Sequence, residues 1–359
     1  MAVLTSVSGL NGKLPAAFVL ELRGKRILLD LGEGPEPGVR PDADKLGHLD
    51  AIFLSHAHGD HVGSMDLWQT LGSPHVYASA ATFRGLAPQG IDLPETACRV
   101  LPLMGVVEIL DMPFTVGRSG HAIGGIWLHA AEDGGILYMG DWSRETTILA
   151  FDPPPNARTV ITDVSYCDRP QTLAEQIDAL ATDAVAGAVL PVPPMGRGTE
   201  LALRLTEAGR RVAVCPVVAR EIAMLASDRE GHVSNETRDA LNKLLPTLED
   251  ARVADPQSLI VVVEAEHGAS LLPSLINEEG RHFILTGHVA HNSLGDGLLK
   301  QNRASRMPWN VHPPRDCNLW LADFVGAERV LPAFGSIAEA PHLAAGLGNR
   351  LSVSSTLAF

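Results

Sequence analysis

Residues 54–63 read Leu54-Ser55-His56-Ala57-His58-Gly59-Asp60-His61-Val62-Gly63, which places three imidazoles and a carboxylate within six residues. The apolar run just before them, Ala51–Leu54, predicts a buried strand. A strand that ends in a glycine-containing loop can turn these four side chains toward one point. Imidazole nitrogen and carboxylate oxygen are the ligands of zinc sites that keep a position open for water. The stretch therefore predicts a metal site, and a polar surface loop is the alternative.

Composition sets the class of protein. A chain of 359 residues with 45% apolar content can fold as one large or two ordinary domains. The net charge of −14 gives no overall attraction to nucleic acid or anionic membranes, although a local basic groove is compatible with it. The four cysteines form no Cys-x-x-Cys pair, which disfavours a thiolate zinc site or a disulfide framework. Neither a signal peptide nor a membrane-spanning run is visible, so we expect a cytoplasmic protein without membrane contact.

The pattern of elements changes along the chain. The first part predicts short strands with tight turns, with a hairpin around Arg23-Gly24-Lys25 and one helix over Val62–Leu71. After about Asp168, strands alternate with longer amphipathic helices, which is typical of a parallel α/β unit. We therefore predict an α/β protein with a β-rich body over residues 1–168, an α/β insert over 169–302 and a return to the body over 303–359.

Three further polar residues stand at predicted strand ends beside glycine or in a turn. His121 follows Gly120, and Asp141 follows Gly140. A carboxylate in such a position can bridge two cations. Asp30 ends its own strand in the same way and suits the role of an acceptor that orients a ligand histidine.

Together, in this order, these residues resemble the signature of the metallo-β-lactamase superfamily, His-x-His-x-Asp-His followed downstream by His and then Asp. The resemblance implies an αββα sandwich. It also implies that His56, His58 and His121 hold one metal, that Asp60 and His61 hold a second, and that Asp141 bridges them. A hydroxide activated by the metals would then be the nucleophile. The superfamily as a whole does not name the substrate.

The order of later motifs resembles the β-CASP branch, which includes the mRNA 3′-end processing endonuclease, Artemis and RNase J. Asp163 lies where the branch has its motif A acid, and His312 lies where motif B histidine is expected. Arg197 and Gly198 resemble its glycine-arginine turn, and His288 follows a strand similar to its late Thr-Gly-Tyr strand. This resemblance implies a nuclease with an α/β domain inserted into the body.

These positions suit phosphodiester hydrolysis. His312, oriented by Asp163, could protonate the leaving oxygen or stabilise the phosphoryl oxygens, with an ordinary turn histidine as the alternative. Arg197 at a helix start could hold a backbone phosphate, with Gly198 and His288 beside the substrate; a solvated loop arginine is the alternative. We expect Asp60 to be a catalytic residue as well as a metal ligand.

One position departs from the branch. Motif C, a histidine before glycine at the end of a late strand, corresponds to Phe334 in Val330–Gly335. Because phenylalanine cannot bind a metal, the second ion either lacks a protein ligand or takes another histidine.

The sequence therefore predicts a metal-dependent nuclease acting on RNA or single-stranded DNA. Zn²⁺ is the expected metal, as one or two ions, with Mn²⁺ or Fe²⁺ as alternatives. Two other functions stay open. One is a hydrolase of small phosphodiesters or esters, favoured by the acidic balance of Asp168–Gln301. The other is a binding subunit with weakened catalysis, supported by Phe334. The sequence leaves open whether the chain forms a homo-oligomer.

Overall fold

The computed structural model describes residues 2–264 and 271–359. The chain divides into two compact units. The first contains the residues up to Arg144 together with Phe151–Pro170 and His312–Phe359, and the second contains Glu145–Ala150 and Gln171–Val311. The second unit thus interrupts the first in the sequence. The domain boundaries that we expect from the sequence remain a prediction.

The first sheet of the first unit carries the N-terminal strands. Its order is β19-β1-β2-β3-β4-β5-β6, with antiparallel pairs from β19 to β3 and parallel pairs from β3 to β6. The strands are β1 (Val3–Ser8), β2 (Ala17–Leu22), β3 (Lys25–Leu29), β4 (Ala51–Phe53), β5 (His75–Ser79), β6 (Cys98–Leu101) and β19 (Thr356–Ala358). The predicted hairpin is present, with Leu22 paired to Lys25 across the turn.

The second sheet of this unit has the order β18-β11-β10-β9-β8-β7. Its strands are β7 (Gly105–Ile109), β8 (Met112–Arg118), β9 (Ile126–Ala130), β10 (Ile136–Tyr138), β11 (Thr159–Asp163) and β18 (Arg329–Ala333). Apolar side chains from both sheets, such as Phe18, Phe53, Phe114 and Leu128, form one buried cluster. Alternate side chains of a strand enter this cluster, such as Phe18, Leu20 and Leu22 of β2, so the two sheets pack face to face.

Helices cover this pair of sheets. They are α1 (Ala43–Leu46), α2 (Gly59–Val62), α3 (Ala80–Leu86), α10 (Arg315–Phe324) and α11 (Pro341–Leu347). α10 and α11 bury Leu321 and Leu343 against Leu137 and Val160 of the second sheet, and α3 contacts β5 of the first. The predicted helix over Val62–Leu71 is wrong. α2 ends at Val62, and a separate 3₁₀ turn spans Met65–Gln69, because the backbone leaves the helical region at Ser64 (φ −98°, ψ 18°).

The second unit is built on a parallel sheet with the order β14-β13-β15-β12-β16-β17. Its strands are β12 (Val189–Val192), β13 (Val212–Val214), β14 (Glu249–Asp250), β15 (Leu259–Val263), β16 (Phe283–Leu285) and β17 (Ala304–Arg306). Its helices are α4 (Leu173–Asp183), α5 (Arg197–Glu207), α6 (Pro216–Ala226), α7 (Asn235–Leu244), α8 (Leu272–Asn277) and α9 (Leu294–Lys300).

The α/β fold class and the sheet-on-sheet body expected from the sequence are confirmed. The central strands of the second unit, such as Leu259–Val263, are apolar and buried at every position, as expected for a parallel sheet covered on both faces. Among the helices of the described residues, none combines the length and the apolar character needed to cross a bilayer.

Candidate metal centre

The histidine-rich stretch leaves the end of β4 and turns into α2. Ser55, His56 and Ala57 lie in the extended segment after the strand, and His58 stands at the N-cap of α2 with extended backbone. Asp60 and His61 therefore fall in the first turn of the helix. A strand end followed at once by a helix start gives this short segment two backbone directions. That change of direction lets side chains only two to five residues apart point to one place.

Two glycines bring the other donors close. Gly120 (φ +70°) precedes His121, and a Cβ at Gly120 would lie 2.1 Å from the carbonyl oxygen of Ser143. Gly140 (φ +54°) precedes Asp141, and a Cβ there would lie 2.6 Å from Oγ of Ser55. Both positions combine left-handed backbone with close packing, so only glycine fits them without strain.

Four donor atoms converge as a result. Nδ1 of His58 lies 3.1 Å from Nε2 of His56 and 3.0 Å from Nε2 of His121. Oδ2 of Asp141 lies 3.8 Å from Nε2 of His56 and 3.6 Å from Nε2 of His121. The side chains of His56, His121 and Asp141 are buried, and His58 is half-buried.

This donor set fits a divalent metal. A tetrahedral zinc ion with bonds of 2.0–2.1 Å separates its ligand atoms by about 3.4 Å, which lies within the range of distances found here. Ring nitrogens that face each other at such distances repel unless a cation or proton lies between them. In addition, Oδ1 of Asp141 is buried and, among the described residues, accepts no hydrogen bond of normal geometry, although Nε2 of His61 lies 3.3 Å from it. The donor types and their spacing are therefore compatible with a metal ion in the cluster.

Burial favours the ligand form of the imidazoles. Burial lowers the pKa of His56 well below its usual value, and the neighbouring histidines His61, His58 and His121 lower it further. His56 is therefore neutral at pH 7, as metal binding requires. The hydroxyl of Ser55 lies 3.0 Å from Nδ1 of His56, which leaves Nε2 directed into the cluster.

Asp60, His61 and Asp141 form a second, overlapping group of donors. Nε2 of His61 lies 3.3 Å from Oδ1 of Asp141, and Nδ1 of His61 donates to Oδ2 of Asp30 at 2.6 Å. Burial opposes the charged form of His61, but the carboxylates of Asp141 and Asp30 outweigh it and hold the pKa well above the usual value. The two carboxylates therefore favour the protonated form of His61 when no metal is bound.

Asp30 is the centre of a buried hydrogen-bond network. Its carboxylate accepts from the backbone N–H of Ser55 at 2.6 Å and from the hydroxyls of Ser55 and Tyr138, both at 2.6 Å. With His61 this makes four donors on one carboxylate, which is fully buried and whose backbone is left-handed (φ +60°). The network fixes the ring of His61 and joins β3, the histidine loop and β10.

Phe334 closes the side of the cluster next to His61. Its ring meets the ring of His61 edge to face, with centroids 4.9 Å apart. The residue is buried and adopts a left-handed backbone (φ +64°), and its N–H donates to the carbonyl of Gly9 at 2.7 Å. An aromatic ring therefore stands where the resemblance expects a histidine, and it offers no electron pair to a metal.

His312 and Asp163 lie beside Asp141. Nδ1 of His312 donates to Oδ2 of Asp163 at 2.7 Å and lies 3.7 Å from Oδ2 of Asp141. Asp163 is fully buried, and burial raises its pKa to about 6, although hydrogen bonds from Ser165 oppose the shift. The loop that carries His312 is held by Arg169, whose guanidinium donates to the carbonyl of His312.

A chain of hydrogen bonds positions Asp163. The indole N–H of Trp142 donates to Oγ1 of Thr162 at 2.9 Å, and that hydroxyl donates to Oδ1 of Asn318 at 2.7 Å. The amide of Asn318, on α10, then donates to the backbone carbonyl of Asp163 at 2.9 Å. Trp142 thus supports the site from behind and is fully buried, so it offers no face to a substrate.

The remaining predicted residues belong to the second unit. Arg197 begins α5 and is buried, and its charge acts on the carboxyl of Glu264. Gly198 packs against α6, since a Cβ there would lie 2.6 Å from Val218. His288 is exposed after β16.

The backbone at the start of α5 is already occupied. The N–H groups of Met195 and Gly196 donate to the carboxylate of Glu221 at 2.6 and 3.1 Å. A carboxylate of this chain therefore takes the position at the helix start where we expected a phosphate of the substrate.

Several residues of the site are absent from the sequence-based prediction. Ser55, Tyr138 and Asn318 hold the ligands or their partners. Ser55 directly follows the strand end, so its place beside His56 was a usable signal. Tyr138 and Asn318 come from a strand and a helix with no motif around them, and no pattern in one sequence marks them.

The comparisons with known proteins agree with this geometry. Residues 11–184 match the model of the metallo-beta-lactamase superfamily, and they contain the four-donor cluster. This stretch is a metallo-beta-lactamase superfamily domain. Within the domain, His56, His58, His121 and Asp141 come together at the strand ends, and Asp60 and His61 lie next to them.

Relatives of this superfamily domain include three proteins with RNA-processing names. "Ribonuclease TTHA0252" of Thermus thermophilus is 27% identical over 233 residues, which is 56% of this chain and 54% of the relative. "Ribonuclease Z" of Porphyromonas gingivalis is 32% identical over 116 residues, which is 30% of this chain and 35% of the relative. "Cleavage and polyadenylation specificity factor 73" of Drosophila melanogaster is 25% identical over 232 residues, which is 54% of this chain and 34% of the relative. The chain spans about half of the first relative's length and about a third of the other two.

A solved structure matches over nearly the whole length. A protein of unknown function from Enterococcus faecalis V583 has a TM-score of 0.55 and 15% identity, and the match covers 97% of this chain and 96% of that chain. This likeness concerns the fold alone.

Proposed function

We propose that the protein is a metal-dependent hydrolase of phosphodiester bonds that acts on RNA. The observation that carries the proposal is the four-donor cluster of His56, His58, His121 and Asp141, with the hydrogen-bonded pair of His312 and Asp163 beside it. The cluster suits water activation, and the pair suits proton transfer. Phosphodiester hydrolysis needs both in one place.

The metal we propose is Zn²⁺, held by the three histidines with Asp141. A bound divalent ion lowers the pKa of water and polarises a phosphoryl oxygen. Asp60 and His61 offer a weaker second position, because Phe334 supplies no ligand on that side. We therefore expect one tightly bound ion per chain. Mn²⁺ and Fe²⁺ suit the same donors, and they stay as alternatives for the metal that the protein binds in the cell.

His312 acts as the proton donor in this proposal. The carboxylate of Asp163 accepts a hydrogen bond from Nδ1–H of His312. The ring therefore exchanges a proton with the substrate through Nε2. The leaving 3′ or 5′ oxygen of a ribose is strongly basic, and protonation by His312 removes the need to expel it as an alkoxide. Asn318 and Arg169 keep this pair in place through the backbone.

RNA is the proposed substrate because the relatives with the superfamily domain carry RNA-processing names. The second unit, an α/β insert in the sequence, is proposed to be β-CASP-like and to contribute to substrate binding. Single-stranded DNA is the alternative substrate of the same chemistry. None of the four cysteines forms a disulfide in the described residues, which suits a reducing compartment, and we propose the cytoplasm.

Cleavage of labelled oligonucleotides tests the proposal. The metal-loaded chain is incubated with single-stranded RNA, single-stranded DNA and duplexes of each, and metal content is measured in parallel. We expect cleavage of RNA that is lost on chelation and restored by Zn²⁺ or Mn²⁺. His58→Ala and Asp60→Ala should abolish it, whereas the exposed His288→Ala should retain metal. A fully loaded chain that cleaves none of these substrates would refute the proposal.

A second candidate, a hydrolase of small phosphodiesters, is favoured by one observation. Over Asp168–Gln301 acidic residues outnumber Lys and Arg, and the expected phosphate ligand Arg197 is buried. Long phosphate-tracking surfaces normally carry an excess of basic residues. Turnover of a chromogenic phosphodiester without measurable oligonucleotide affinity would select this function.

A further inference from the structure

A lysine lies close to the metal centre without a role in holding it. Lys13 lies in the connection between β1 and β2 and is half-buried. Its Nζ stands 4.7 Å over the ring of Tyr166. Tyr166 follows β11, and its ring centroid lies 5.1 Å from that of His312. The ring of Tyr166 therefore contacts both the ammonium group of Lys13 and the ring of His312, the proposed proton donor.

The charge of Lys13 acts on the acidic groups of the site. Burial opposes the charged forms of Asp60 and Asp163, and Lys13 is among the positive groups that favour them. The pKa of Asp60 lies below its usual value, whereas burial keeps the pKa of Asp163 raised, at about 6. Within residues 2–264 and 271–359, Lys13 forms no hydrogen bond or ion pair, and its contact with Tyr166 is a cation–π contact. Its ammonium therefore keeps its donors for a ligand.

The charge balance of the centre makes such a group necessary for an anionic substrate. Asp30, Asp60, Asp141 and Asp163 put four carboxyl groups around the cluster, in a chain with a net charge of −14. A bound divalent ion offsets only part of this charge. A phosphodiester approaching the centre needs further positive charge close to the reacting phosphorus.

We propose that Lys13 binds a phosphate of the substrate at the metal centre and that the ring of Tyr166 holds the lysine side chain in position for this contact. The inference rests on the proposed phosphodiesterase function and names a substrate-binding residue for it. Lysine is a compact, strongly charged phosphate ligand, and the aromatic face restricts its long side chain before the substrate arrives.

Steady-state cleavage of a short RNA by the metal-loaded chain tests the proposal. Lys13→Ala should raise KM about 10-fold or more, the range for a lost charge-assisted hydrogen bond, with metal content unchanged. Lys13→Arg should recover most of the loss. The slope of log kcat/KM against log salt should decrease by about 0.7 in Lys13→Ala, as for one lost phosphate contact.

Two control variants separate this role from general effects. Lys45→Ala removes an equal charge from an exposed ion pair with Asp42 and should leave KM and the salt slope unchanged. Tyr166→Phe keeps the ring and should behave as the wild type, whereas Tyr166→Leu should raise KM. If Lys13→Ala matches Lys45→Ala in KM and salt slope while the wild type cleaves RNA, the inference is wrong and the proposed function stands.

Binding of inorganic phosphate, measured by calorimetry on the metal-loaded chain, distinguishes the opposite case. If the wild type cleaves no RNA but binds phosphate more tightly than Lys13→Ala, the proposed function fails and the anion site remains. If phosphate binding is the same in both proteins, the anion site is refuted as well. Circular dichroism of each variant verifies that the fold is retained.

Discussion

The two halves of the histidine cluster share one sequence motif but differ in structure. In the half formed by His56, His58 and His121, ring nitrogens lie 3.0 and 3.1 Å from one another, and Oδ2 of Asp141 lies 3.6 Å from Nε2 of His121. In the half formed by His61, both ring nitrogens face carboxylates, Asp30 at 2.6 Å and Asp141 at 3.3 Å. The donor atoms of the first half suit an added cation. In the second half, the two carboxylates favour a positive charge on His61 itself.

This difference separates function from stability within a few ångströms. Because facing imidazoles do not stabilise the metal-free fold, we infer that their role is to bind the metal. The network around Asp30, by contrast, satisfies four donors in the core and ties together two sheets. We therefore expect substitutions in the first half to change metal binding and activity, and substitutions in the second half to change stability.

The largest effect should come from the first half. His56→Ala should lower phosphodiesterase activity at least about 1,000-fold, because the bound metal and the activated water are lost together. The free energy of unfolding of the metal-free protein should change by about 1 kcal/mol or less. Metal analysis, kinetics and urea unfolding measure the three quantities. His75→Ala, an exposed histidine on β5, is the control and should match the wild type. Normal metal content in His56→Ala would break the comparison.

Asp30→Ala should show the reverse pattern. The change leaves Ser55, Tyr138 and His61 without their acceptor in the core, which should cost about 3 kcal/mol of the free energy of unfolding. Urea unfolding of the metal-free protein measures the cost. Asp44→Ala, at an exposed position of α1, controls for the loss of a carboxylate. A cost equal to that of the control would show that the network does not hold the two sheets together.

Phe334→His tests whether the two halves can be made alike. The new imidazole stands next to His61 and should raise the number of tightly bound Zn²⁺ ions from about one to about two per chain. Histidine tolerates the left-handed backbone at this position better than phenylalanine does. Phe334→Ala opens the same space without a ligand and should stay near one ion. If Phe334→His and Phe334→Ala bind the same number of Zn²⁺ ions, the lack of an imidazole at position 334 is not what limits the chain to about one ion.

The smallest effect concerns a histidine outside the cluster. Burial lowers the pKa of His129, although its hydrogen bond with the carbonyl of Asn156 opposes the shift. The unfolded chain therefore binds a proton near pH 6.5 that the folded chain does not, and stability falls as the pH decreases below 6.5. His129→Gln should reduce this decrease by less than about 1 kcal/mol between pH 7.5 and 5.5. Urea unfolding at both pH values measures it, and an unchanged pH dependence would contradict the assignment.

The sequence predicted the body of the fold well because its signals are local. The hairpin at Arg23–Lys25 and the apolar strand before His56 each depend on neighbours in the chain. The helix prediction over Val62–Leu71 was wrong: its apolar spacing is real, but the backbone leaves the helical region at Ser64. Periodicity records which side chains are buried, and it does not record where a helix ends.

The site was predictable where ligands follow strand ends and unpredictable where partners come from distant elements. His121 and Asp141 stand beside glycines that a single sequence displays. Lys13 and Asn318 reach the centre from a loop and a helix, and their residue types are common on any surface. The expected phosphate contact of Arg197 depended on a helix start, and no sequence pattern indicates that Glu221 occupies the amides there.

The network around Asp30 has a consequence for how the protein acquires its ion. Because the carboxylate already fixes the histidine loop through Ser55 and His61, the receptor is built before any metal arrives. Capture then requires no ordering of the chain, unlike small domains that fold only around their zinc. A set of ligands that is already in place before the metal binds discriminates little between ions of similar size. The metal found in the protein should therefore follow the supply in its surroundings, and exchanging the growth medium should exchange the ion.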